Sequence, residues 1–155
     1  MKLAGRTVTA AEFFRPKNVG DRPWGYEDLL ALIPGVATLK LLQIDAGHKG
    51  RLQRHHKKDE AGYVLRGVLR VRWVDDTGLG DPYIRERDLL IGDSFRFPAG
   101  CIHQEEAVSD CTIIEISTPY GNDREGMEER FGLPVPEGAL PSTTPDEVTI
   151  WEKWW

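Results

Sequence analysis

The sequence predicts an all-β fold, a sandwich or barrel, and two observations carry that expectation. Short runs rich in Val, Ile, Leu and Trp recur along the chain with turn residues between them. The 155 residues include 16 Gly and 10 Pro, a turn-rich composition that favours many short strands over a few long helices.

Taken in order, Thr9-Ala10-Ala11-Glu12 has capping-box spacing and predicts a short helix through Phe13 and Phe14, stopped by Pro16. Arg22-Pro23-Trp24-Gly25-Tyr26 reads as a rigid turn feeding a strand. From Thr38 to Asp45, Leu39, Leu41 and Gln43 alternate with Lys40, Leu42 and Ile44, which predicts a strand with two differently used faces, broken by Gly47 and Gly50. Tyr63-Val64-Leu65 and the run Val68 to Val74 are the next strands, on either side of a tight turn at Arg66-Gly67. Asp75 to Pro82 is turn throughout. Tyr83 to Arg87 and Asp88 to Phe97 supply further short strand, punctuated by Gly92 and closed by Pro98-Ala99-Gly100. Cys111 to Ser117 is the clearest late strand. Arg124 to Phe131 is expected to form one or two helical turns, and Leu133 to Pro145, with four prolines, reads as an arm. The aromatic end from Val148 to Trp155 is too apolar to lie free in water and is expected to pack on the barrel or on another subunit. The expected organisation is one domain over residues 1–155, with a barrel core near 22–118 and a C-terminal arm over 119–155.

Composition narrows the function classes. The chain is 40% hydrophobic and 29% charged, a globular balance. Its 25 acidic and 20 basic residues leave a net charge of −5, which disfavours nucleic acid and anionic membranes as partners. No apolar run approaches the ~18 residues of a membrane span, and Met1 to Ala10 lacks the long apolar stretch of a secretory signal. Cys101 and Cys111 lack CxxC spacing and cannot build a disulfide framework, so both are expected to be packing thiols in a reducing cytoplasm.

Two polar clusters carry the chemistry. Gln53 and His55 are two residues apart and share a face of an extended chain, and Glu60 can return to that face after a short turn. His103 follows Pro98-Ala99-Gly100. Two imidazoles, a carboxylate and an amide oxygen form a borderline N/O donor set suited to one divalent ion such as Zn²⁺, Mn²⁺, Fe²⁺, Co²⁺ or Ni²⁺. The lack of thiolate argues against a closed structural zinc site.

These spacings resemble the two motifs of the cupin superfamily. Gly47, Gln53, His55, Glu60 and Gly67 match the first motif, with Gln53 in place of its first histidine. Gly92, Pro98, Gly100 and His103 match the second, whose final Asn is Ala107 here. The resemblance implies a double-stranded β-helix, or jelly-roll barrel, with short helices and an extended C-terminal arm. The Gln-His-Glu-His set is similar to that of the single-domain (type II) phosphomannose isomerases, and Arg22-Pro23-Trp24-Gly25 resembles their Arg-Pro-Trp-Gly entry segment. Ala61-Gly62-Tyr63 and Lys57-Lys58 depart from that family's pattern.

What the resemblance implies is a metal-dependent isomerase of a sugar phosphate such as mannose 6-phosphate, working through an enediolate. Exposed strand edges and the aromatic end at Trp151, Trp154 and Trp155 need covering, so a homodimer is expected, and it is expected in the cytoplasm. The metal ligands would be Gln53, His55, Glu60 and His103. Glu115, Glu105 and Lys58 are the candidate catalytic bases. Arg51, Arg54 and Lys57 would meet a phosphate or nucleotide-sugar tail, and Trp24 would contact substrate. The basic cluster Lys49, Arg51, Arg54, Lys57 and Lys58 reads equally as a solvated loop. Arg70 and Arg72 share a face whose direction is open. Two other readings share the ligand set: an iron-dependent oxygenase, and a non-catalytic metal- or sugar-binding protein.

Overall fold

A computed structural model describes residues 2–3, 6–7, 9–13, 15–75, 82–120 and 123–137, so the aromatic end over 148–155 lies outside the described residues. In chain order the strands are β1 (Lys2–Leu3), β2 (Arg6–Thr7), β3 (Lys17–Arg22), β4 (Gly25–Ile33), β5 (Ala37–Ile44), β6 (Gln53–His55), β7 (Glu60–Arg66), β8 (Leu69–Asp75), β9 (Tyr83–Leu89), β10 (Ser94–Phe97), β11 (His103–Ala107), β12 (Cys111–Ser117) and β13 (Arg124–Gly126), followed by a 3₁₀ turn at Glu129–Phe131. β1 pairs with β2 alone. The others form two antiparallel sheets: six strands ordered β10-β7-β12-β5-β4-β3, and five ordered β13-β6-β11-β8-β9. This is the expected all-β barrel.

From β5 onward consecutive strands change sheet, except β8 and β9. β7 and β8 flank the Arg66-Gly67 turn but belong to different sheets. Gly67 makes that corner at φ +82°, and a Cβ there would sit 2.0 Å from the carbonyl oxygen of Asp110. Only glycine suits both the left-handed backbone and the close approach of the neighbouring corner.

The two ends of the barrel differ in chemistry, and strand register shows how. On β5 and β12 the inward row runs Ile44 and Leu42, then Lys40 and Thr38, against Cys111 and Ile113, then Glu115 and Ser117. Trp24, Ile44, Leu69, Ala107 and Cys111, all 0% exposed, close one end as an apolar plug. The other end is lined by Thr38, Ser117 and Glu60, which neighbour one another across β5, β12 and β7. The alternation on β5 therefore resolves with Lys40 inside. A charged residue on the buried face needs a charged partner, and Glu27 on β4 supplies it.

Of the two expected helical segments, the first does not form and the second is reduced to a single 3₁₀ turn at Glu129–Phe131. Residues 9–13, 15 and 16 are non-helical, and Phe13 is 94% exposed. A capping box without an apolar face to bury cannot offset the nucleation cost of one or two turns. Residues 124–126 pair with β6 as β13 and so leave only the 3₁₀ turn, which Gly132 ends in the left-handed conformation. The segment read as the start of an arm thus belongs to the five-stranded sheet. Arg70 and Arg72 face outward, each bonded across the β8–β9 ladder to Asp88 and Glu86. Both cysteines are free, Cys111 in the core and Cys101 half-buried.

Candidate metal centre

Three strand ends meet at the polar end of the barrel. β6 carries Gln53 and His55 on its inward face, β7 begins at Glu60, and β11 begins at His103, which lies directly opposite Gln53. The Pro98-Ala99-Gly100 turn is tied to β6 by the Gly100 amide, which donates to the His55 carbonyl at 2.7 Å. This turn delivers His103 to the start of its strand beside His55.

His55, Glu60 and His103 are all buried, with ligand-type atoms within 4.8 Å of one another. His103 Nε2 is 2.8 Å and His55 Nε2 3.9 Å from the same oxygen, Glu60 Oε1. Each imidazole spends its other nitrogen on a fixed acceptor: His55 Nδ1 on Asp123 Oδ1 at 2.9 Å, and His103 Nδ1 on the Cys101 carbonyl at 3.1 Å. The Phe97 ring stacks on His103 at 4.0 Å between centroids. Two buried ligand-type atoms, His55 Nε2 and Gln53 Oε1, have no hydrogen-bond partner, while His103 Nε2 is paired with the Glu60 carboxylate. Leaving such atoms unpaired costs about 1–3 kcal/mol each, and a divalent ion among His55, Glu60 and His103, whose ligand-type atoms converge, would relieve it. The residues present therefore fit a metal ion, with His55, Glu60 and His103 as the core of the set and Gln53 beside them.

The two imidazoles differ in their electrostatics. Burial pulls the His55 imidazole below its ordinary pKa, with the Lys58 ammonium adding to the effect, so the ring is neutral and able to ligate. Burial opposes the charged form of His103 too. The Cys101 carbonyl and the Glu60 carboxylate outweigh it and raise the ring to about 10. At His103 a proton and a metal ion compete for one lone pair.

Behind the centre lies a chain of buried charges. The Lys58 ammonium is in close contact with Glu60 Oε2 and lies 3.5 Å from Glu115 Oε1. The same Glu115 oxygen is 3.5 Å from Lys40 Nζ, which is 2.7 Å from Glu27 Oε1. Burial alone would lower both lysines, but the surrounding carboxylates hold each above its ordinary value. Glu105 stands apart. It faces inward between His103 and Ala107 on β11, and its carboxyl has no hydrogen bond or ion pair among the described residues. Burial, aided by the charges of Glu60 and Glu115, pushes it up to about 8.

The substrate-binding expectations fare differently. Arg54 alternates with Gln53 and His55 on β6 and points away from the centre, bonded to Glu125 at 2.8 Å. Arg51 is engaged by Glu128 through two hydrogen bonds, at 2.8 and 2.9 Å. Alternation on β6 turns Arg54 away from the ligands, and Glu128, just past β13, engages the Arg51 guanidinium. Trp24, wholly buried in the apolar plug, has no surface to offer a substrate. Lys57 is exposed, its ammonium 5.9 Å from the Tyr120 ring centre. His56 is exposed and pairs with Glu125 at 3.0 Å, while His48 bonds the Asp45 carbonyl. The sequence reading missed Glu27, Lys40 and Asp123. The first two lie on alternating strand rows whose direction a pattern alone leaves open, and Asp123 carries no local signal at all.

A β-barrel with an internal His-Glu-His group at one end is the architecture of a metal-binding cupin. Residues 40–117, just over half of the chain, match the family described as the cupin domain, and the chain belongs to that family. Oxalate decarboxylase from Bacillus subtilis superposes with a TM-score of 0.62 at 20% identity over 91% of this chain and 44% of its own. The capsular polysaccharide assembling protein CapF from Staphylococcus aureus gives 0.61 at 17% identity over 74% of this chain and 32% of its own. KdgF from a Halomonas species gives 0.53 at 24% identity, covering 68% and 88%. The chain thus spans about a third of CapF and less than half of the decarboxylase, and these likenesses speak for the fold. A comparison with curated protein sequences found no match. Among the described residues, no helix is long and apolar enough to cross a membrane.

Proposed function

We propose that the protein is a metal-dependent isomerase that interconverts the aldose and ketose forms of a small sugar or sugar phosphate. The observation that carries this reading is Glu105, an inward-facing carboxyl without a hydrogen-bond partner on the strand that begins with His103. A bound divalent ion would supply Lewis acidity toward the carbonyl and neighbouring hydroxyl oxygens of an open-chain sugar.

Isomerisation needs a group that takes a proton from the carbon beside the carbonyl and returns it to the adjacent carbon, with an enediolate between the two steps. A carboxyl held in its protonatable range both accepts and releases that proton, and burial raises Glu105 above the ordinary carboxylate range. Lys58 and Glu115 serve differently in this account, since their charged ends are held by each other and by Glu60. They keep the ligand carboxylate ionised and in place. With Arg51 and Arg54 turned to Glu128 and Glu125, exposed Lys57 is the cation from the sequence-predicted set that a substrate phosphate would meet. Of the similar structures, the Bacillus subtilis oxalate decarboxylase is described as holding Mn(II) centres, and manganese is the ion to load first.

The test is to incubate metal-loaded protein with free and phosphorylated aldoses and ketoses. A Glu105→Gln variant is expected to lose about 10²–10⁴-fold in turnover while keeping its metal. Full activity in that variant overturns Glu105 as the proton carrier. Oxygen uptake in place of sugar interconversion assigns the site to oxygenase chemistry instead.

A further inference from the structure

The segment after β12 lies beyond the matched family region, yet it reaches the metal centre. We propose that Asp123 is a positioning residue of that centre, holding the His55 proton on Nδ1 so that the Nε2 lone pair faces Glu60 and His103. This rests on the assignment of His55 as a ligand, and not on the isomerase reading.

Asp123 Oδ2 accepts from the backbone amides of Lys57 and Lys58, at 2.5 and 2.8 Å, while Oδ1 lies 2.9 Å from His55 Nδ1. A carboxylate that takes two amide donors on one oxygen acts as an acceptor, so the hydrogen shared with His55 sits on the ring nitrogen. With Nδ1 protonated, a neutral imidazole has its lone pair on Nε2, the buried atom without a partner.

The position of Asp123 is held by the strand that follows it. Arg124, Glu125 and Gly126 of β13 pair in register with His55, Arg54 and Gln53. At the far end, the Met127 amide donates to the Leu52 carbonyl at 2.7 Å. The Glu128 carboxylate accepts from the Leu52 amide at 3.1 Å and from the Arg51 guanidinium. The strap is thus pinned on both sides of the strand that carries Gln53 and His55. His103 needs no such device, because its Nδ1 is met by the carbonyl of Cys101, two residues away. One imidazole is oriented by local backbone and the other by a distant carboxylate, and only the second can be altered by a side-chain change.

Asp123→Asn makes the test sharp. An asparagine can keep an oxygen toward the two backbone amides, but it then presents its NH₂ to His55. That donor demands a lone pair on Nδ1 and moves the ring proton to Nε2, where it blocks ligation. Two-bond ¹H–¹⁵N correlation spectra of the metal-free protein read the tautomer directly. The expected result is Nδ1–H in the native protein, Nε2–H in Asp123→Asn, and Mn²⁺ or Zn²⁺ affinity about 10–100-fold weaker in the variant by chelator competition. Glu125→Gln, on the same strap but bonded to Arg54 and His56, is expected to change neither. An Nε2–H tautomer in the native protein overturns the proposal without any variant. So does an unchanged tautomer in Asp123→Asn, or an equal loss of affinity in Glu125→Gln. Should neither ion bind even to the native protein, the ligand assignment falls, while the tautomer spectra still decide the role of Asp123.

Discussion

A Glu115→Ala variant is expected to lose about 3 kcal/mol of stability, a fall of roughly 6–12 °C in Tm for a domain of this size. Glu115 Oε1 lies 3.5 Å from both Lys40 and Lys58, so one buried carboxylate serves two buried ammonium groups. Removing it takes a carboxylate neighbour from both lysines, although the Lys40–Glu27 and Lys58–Glu60 pairs remain, and opens a cavity between them. Ion pairs at the surface behave otherwise. Glu86 bonds Arg72 at 2.9 Å with more than half of its side chain exposed, and Glu86→Ala is expected to cost less than about 1 kcal/mol. Thermal unfolding of the two variants side by side checks the contrast. Equal and small shifts would mean that solvent reaches the barrel interior and screens its charges.

Replacing His103 by alanine is expected to weaken binding of a divalent ion by at least ~10²-fold, taking one ligand's share of a binding free energy on the order of 10 kcal/mol. His103 is the imidazole nearest Glu60, at 2.8 Å, and the Phe97 ring stacked on it loses its partner in the same change. Chelator competition with Mn²⁺ and Zn²⁺ measures the loss. His56→Ala is the control, because His56 sits next in sequence to a ligand but is exposed and bonded to Glu125. Unchanged affinity in His103→Ala, or equal loss in both variants, removes His103 from the centre.

Much of this architecture is legible in the sequence because it follows local rules. Alternating residues mark β5, β8 and β12, and the turn at Arg66-Gly67 is a glycine corner. Gln53, His55, Glu60 and His103 are recognisable because their spacing places them at strand ends around fixed turns. What stayed hidden depends on distant parts of the chain. The run 124–126 has no strong strand pattern and becomes β13 because β6 offers it an edge to pair with. The direction of Lys40 is set by which sheet face closes on the core, and alternation alone is symmetric between the two faces. Arg51 and Arg54 read as free cations until Glu128 and Glu125 arrive from beyond residue 120. Asp123, 68 residues from His55 in sequence, has a role that only the folded chain defines.

The central claim is that one divalent ion is held among His55, Glu60 and His103, with Gln53 beside them. Anomalous diffraction at a metal absorption edge, on crystals of protein purified without chelator, tests it most directly. One strong peak is expected at about 2.0–2.3 Å from His55 Nε2, His103 Nε2 and a Glu60 carboxylate oxygen. A peak elsewhere, or none in protein saturated with Mn²⁺ or Zn²⁺, would contradict it.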